Sequence, residues 1–445
     1  MRHLKTLANV IAFTTVSFLS IQATHAQSNP VYVPLGRAKS VLYKPDAGTA
    51  RVGILLTHRT SNFLSHPACT EFSKRGFIVL CMNPRFDNNE VQVRFEEMAL
   101  DVKAGVEHLR RQPGVTKVIL FGHSGGGPTT SFYQAVAENG ISFCNDPNKL
   151  TQCGDDLVGL PPADGIVFAD AHAGNPVFVL RGMNPAVRDE SNPPGPPVPD
   201  LDPFDPRNGF DANGASKYSS EFQTRYFAAQ SARMNRIIAH ALDVRRRMKE
   251  GSHPYPDNDI ILIPRGGNPG PGLRGSAMLF ALDPSIASIM STRAPRKLLK
   301  NDGTISTQMI KSVMTADKSI RETNLSFDVG AKLFSVNSFL SANAIRSTNA
   351  VEGIDYCSTN NSTVCAVQSV SVPVLFIAMG AAVFIRDNEV HYEVARSADK
   401  DFIVIEGATH SAFTPCTDCE QPKEAYANSV KNMFDYIASW INKRY

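Results

Sequence analysis

The sequence predicts an α/β fold: a mostly parallel sheet with helices on both faces and a large insertion before the last strands. Three observations predict it. Short apolar, β-branched runs alternate with amphipathic helical patterns from Val31 to Ala173 and again from Val372 to Tyr445, the rhythm of strands joined by crossover helices. One such run, Val118 to Phe121, leads directly into Gly122-His123-Ser124-Gly125-Gly126-Gly127, so Ser124 stands in a GxSxG turn between a strand and a helix. From 175 to 370 the alternation fails, and stretches such as NPPGPPVPDLDPFDP exclude helix and strand interiors.

Taken in order, Val31 to Pro45 reads as one or two antiparallel edge strands. Val52, Ile54, Leu55 and Leu56 form a buried strand ending in Thr57-His58-Arg59-Thr60, and Pro67 to Arg75 is a short helix. Phe77 to Met82 is the next strand. Phe95 to Gln112 follows as a helix with Phe95, Met98, Val102, Val106 and Leu109 on one face. Asp164 to Ala173 is the strand after the GxSxG helix, with Asp170 and His172 at its carboxyl end, the edge where ligands bind in such sheets. Within the insertion, Tyr218 to Lys249 is a long helix or helix pair and Ile260 to Pro264 a short strand. The core resumes with the strand Val372 to Met379, a helix over Asn388 to Ala398, and a last strand, Phe402 to Glu406, that runs into Gly407-Ala408-Thr409-His410. Glu424 to Tyr445 closes the chain as an amphipathic helix.

A serine on so tight a turn is exposed at the sheet edge, but its hydroxyl is a weak nucleophile. It needs a histidine to take its proton and a carboxylate to orient that histidine. His410, on the loop after the final strand, is the candidate base. His123, inside the turn, reads as a structural histidine packed beneath it.

GHSGGG, the THRT turn and the late EGATH segment together resemble the α/β-hydrolase superfamily, in particular serine esterases and lipases with a large cap. The resemblance covers Val31 to Ala173 and Val372 to Tyr445. It implies the α/β-hydrolase fold and cleavage of a carboxylic ester or lactone through an acyl-enzyme, with no cofactor and no metal. Ser124 would be the nucleophile and His410 the base. The oxyanion hole would come from the backbone N–H of Arg59 or Thr60 and of Gly125; Arg59 departs from the glycine common there. The superfamily's usual acid position, after the strand ending at Met379, holds Gly380-Ala381-Ala382-Val383 and no carboxylate. Asp170 is the first choice for the acid, ahead of Asp387 and then Glu389. An amidase or peptidase, and a binding protein without catalysis, are the alternative readings.

The implied organisation is a signal peptide over 1–26, core over 27–174, cap over 175–370 and core over 371–445. Arg2, His3 and Lys5, an apolar run to about Ile21 and Thr24-His25-Ala26 give the leader its pattern. A periplasmic or secreted destination follows. Eight cysteines suit it; proximity pairs Cys144 with Cys153, Cys357 with Cys365 and Cys416 with Cys419, leaving Cys69 and Cys81. A net charge of +3 without a clustered basic motif argues against nucleic acid. The expected partner is a small-molecule ester, with no stable membrane association after leader removal.

Overall fold

The computed structural model describes residues 30–45, 48–191, 195–266, 279–286, 288–314, 330–410, 414–417, 419 and 421–445. The expected signal peptide lies outside them. The main sheet begins with β1 (Val31–Leu35), β2 (Ala38–Tyr43), β3 (Val52–Thr57), β4 (Ile78–Asn83), β5 (Lys117–His123) and β6 (Gly165–Ala169). The insertion contributes β7 (Ile260–Pro264), β8 (Arg296–Leu299), β9 (Ile305–Gln308), β10 (Ala331–Ser335), β11 (Ser347–Asn349) and β12 (Gly353–Ile354), and the core ends with β13 (Val374–Ala381) and β14 (Lys400–Thr409). Ten strands join in the order β1-β2-β4-β3-β5-β6-β13-β14-β8-β9. From β4 across to β8 every pairing is parallel, while β1, β2 and β9 run antiparallel to their neighbours.

Parallel strands need both faces covered, and the sequence supplies helices for each. On one face lie α2 (Met98–Arg110) and α3 (Gly126–Asn139), which bury Val102, Val106, Leu109, Phe132 and Val136 against Leu55, Leu120 and Phe168. On the other, α1 (Pro67–Lys74) and the closing helix Ser429–Asn442 bring Phe72, Phe434, Ile437 and Trp440 onto Ile54, Phe121 and Ile403. This is the α/β-hydrolase fold. The chain crosses from β3 and β4 to β5 and β6 in the middle of the sheet, which opens a crevice above the carboxyl ends of β3 and β5.

The insertion has an apolar cluster of its own. Val177 and Leu180 of α4 (Asn175–Gly182), Met234, Ile237 and Ile238 of α5 (Ser220–Lys249), and Ile261, Ile263 and Phe334 of the β7–β10 pair pack together. The same segment also reaches the main sheet, because β8 pairs in parallel with β14 and β9 closes that edge.

The cysteines form four disulfides, Cys69–Cys81, Cys144–Cys153, Cys357–Cys365 and Cys416–Cys419. The first ties α1 to β4. Among the described residues no helix is long and apolar enough to cross a membrane.

Candidate active site

β5 ends in a forced turn. Ser124 takes φ 56°, a left-handed conformation that costs a non-glycine residue about 1–2 kcal/mol. Hydrogen bonds hold it there: its N–H donates to Ala169 O at 3.3 Å, and its carbonyl accepts from Gly127 N at 3.1 Å and His172 N at 3.4 Å. The following helix starts so close to β3 that a methyl group on Gly126 would lie 2.2 Å from Thr57 O. Glycine is needed there because of that approach.

The next strand ends in a second strained residue. Asp170 has φ 46° and is fully buried. Its N–H donates to Ile377 O at 2.7 Å, and its Oδ1 accepts from Met379 N at 2.9 Å. β13 therefore clamps Asp170 from both sides, and Oδ2 is left facing His410 Nδ1 at 2.6 Å. His410 Nε2 stands 3.1 Å from Ser124 Oγ. Side chains from the ends of β5, β6 and β14 thus form one hydrogen-bonded line, with β13 lying between the last two strands.

His410 is supported from below by a file of histidines. Ala68 N–H donates to His66 Nδ1 at 3.2 Å, which leaves the His66 proton on Nε2, directed at His123 Nδ1 at 3.2 Å. His123 then donates from Nε2 to the carbonyl of His410 at 3.0 Å. Burial, with the other histidines adding to it, pushes the His123 pKa well below the ordinary value and that of His66 to about 3, so both rings stay neutral. The expected structural role of His123 takes a specific form here: it fixes the backbone of the loop carrying His410. Phe384 packs edge-on against the His410 ring at 4.9 Å.

On the opposite side, His58 Nδ1 accepts from Thr60 N at 3.1 Å and Ser61 N at 2.9 Å. The Thr60 N–H is thereby engaged. Among the described residues the Arg59 and Gly125 N–H groups have no acceptor. The Arg59 side chain does not point to solvent; it is 6% exposed and pairs with Glu90 at 2.6 Å. Asp387 faces Arg181 at 3.4 Å, and Glu389 accepts from Arg293 N, Ala294 N and Arg296, so neither carboxylate is bonded to His410. The two CTDC cysteines are joined to each other.

Sequence reasoning missed His66, and named His58 and His172 only by position. The available signal was that His58 and His172 each end a strand beside the one carrying Ser124.

Strand order and the strand–turn–helix around Ser124 define an α/β-hydrolase-fold protein. No family model and no curated protein matches the chain. Among solved structures it is similar to DcsB in complex with its substrate analogue, at 12% identity and a TM-score of 0.43, covering 93% of this chain and 98% of that one. It is also similar to Est1E from Butyrivibrio proteoclasticus, at 9% identity and 0.38 over 93% and 98%. A soluble variant of monoglyceride lipase from Saccharomyces cerevisiae, in complex with a substrate analog, gives 12% and 0.39 over 95% and 97%.

Proposed function

We propose that the protein is an exported serine hydrolase that cleaves a carboxylic ester or lactone through an acyl-enzyme intermediate. The observation that carries this reading is the line from Ser124 Oγ through His410 to Asp170, at 3.1 and 2.6 Å. Ser124 Oγ attacks the ester carbonyl while His410 Nε2 takes its proton. Asp170 holds Nδ1–H and stabilises the imidazolium that forms. The carbonyl oxygen, now an oxyanion, is received by the N–H groups of Gly125 and Arg59. His410 then returns the proton to the departing alcohol, and a water activated by the same imidazole releases the acid. Four disulfides support export to an oxidising compartment. The test is a fluorophosphonate probe on the mature protein, with peptide mapping of the adduct. Labelling at Ser124, absent in Ser124→Ala, is expected together with turnover of esters; a protein that hydrolyses esters while Ser124 stays unlabelled contradicts the mechanism.

A further inference from the structure

We infer that the substrate's acyl part carries a second, anionic group, bound by Arg59 together with His58 and His172 beside Gly125. This rests on Ser124 as the nucleophile and adds the substrate class. The guanidinium of Arg59 is buried; one arm meets Glu90, while Nε and Nη1 are shielded from solvent and have no hydrogen-bond partner among the described residues. Leaving such donors unmet is costly, which marks them as groups awaiting an acceptor.

Two imidazoles add to them. His58 Nδ1 accepts two backbone N–H groups, and His172 Nδ1 accepts from Gly174 N at 3.1 Å, so each ring carries its proton on Nε2. Neither Nε2 has a hydrogen-bond partner among the described residues. Both rings abut the residue after the nucleophile: a methyl group on Gly125 would lie 2.7 Å from His58 Nε2 and 3.2 Å from His172 Nε2. Burial, then the charge of Arg59, holds both rings well below their ordinary pKa, so each stays a neutral donor.

These side chains supply donors and positive charge to the Gly125 side of the site. An acceptor-rich anion complements them, and a carboxylate matches the planar fork of an arginine. An apolar wall adjoins them: Phe384 covers His410 and packs against Phe178 at 5.4 Å, and Phe178 stands edge-on to the His172 ring at 4.9 Å. The alcohol leaves from His410, so the apolar wall receives the alcohol and the donors receive the acyl chain. A monoester of a short dicarboxylic acid is the implied class.

The experiment compares kcat/KM for a monoalkyl glutarate with that for the same alcohol's pentanoate ester, in wild type, Arg59→Gln and Arg59→Lys. Wild type should favour the glutarate ester at least about tenfold. Arg59→Gln should reduce that ratio at least about tenfold through KM, and Arg59→Lys should restore part of it. A ratio of one or less in wild-type protein whose Ser124 takes the fluorophosphonate probe overturns the anion subsite and leaves the serine hydrolase standing. Should wild type neither take the probe nor cleave either ester, the mechanism fails; free glutarate then decides the subsite, since no rise in melting temperature overturns it.

Discussion

The carboxyl ends of the core strands and the inserted segment are held together by different forces. Around Ser124 and Asp170 the backbone does most of the holding: two residues with positive φ are pinned by main-chain bonds to Ala169 and Ile377, and the Asp170 carboxylate accepts from the Met379 N–H. In the insertion, buried side chains take that role. Arg233 of α5 has a fully buried side chain and reaches Glu190 at 2.6 Å, Asn184 O at 2.7 Å and Pro264 O at 2.6 Å, tying three separate stretches together. Apolar strands hold the first region in place, so its geometry tolerates strain. The second depends on the completeness of its polar networks, so single substitutions there should act on folding and not on chemistry.

Perturbing each region separately sharpens this contrast. The largest effect belongs to the core, where His410→Ala should lower kcat on the order of 10⁴–10⁶-fold with the melting curve little changed, because nucleophile and base act as one unit; steady-state kinetics and calorimetry measure the two together. In the insertion, Arg233→Met should destabilise by about 1–3 kcal/mol, since it leaves the carbonyls of Asn184 and Pro264 without their donor while the part-exposed Glu190 regains water. Denaturant unfolding reads that loss, and unchanged stability would break the comparison.

A smaller effect comes from the buried imidazoles. The His391 pKa is lowered to about 3 by burial, against an ordinary value of 6.5. Between those values the unfolded chain binds a proton that the folded chain refuses, so stability is lost as pH falls from 6.5 towards 3. His391→Met removes this term. The variant should lose about 2 kcal/mol less than wild type between pH 6.5 and pH 5, by denaturant titration at the two pH values.

Most of the fold was legible because apolar period and strand length carry it: β3, β4, β5, β6 and β13 are buried along nearly their whole length and read as continuous apolar runs. The placement of Asp170 was legible through chain order alone, which puts its strand beside that of Ser124. The His66–His123–His410 file was not, because it joins residues up to 344 positions apart through ring nitrogens that leave no periodic trace. Nor was the entry of β8 into the main sheet. Its RKLL stretch is only four residues long, and β14 selects it through pairing that no local pattern announces.

The acid is the point where sequence offered Asp170 ahead of Asp387 and then Glu389, and acylation by an activated ester under stopped flow separates the first two. With Asp170 orienting His410, Asp170→Asn should slow acylation on the order of 10⁴-fold, whereas Asp387→Asn, whose partner is Arg181, should leave the rate within a few-fold of wild type. Near-wild-type acylation in Asp170→Asn, with the large loss appearing in Asp387→Asn, would contradict the triad.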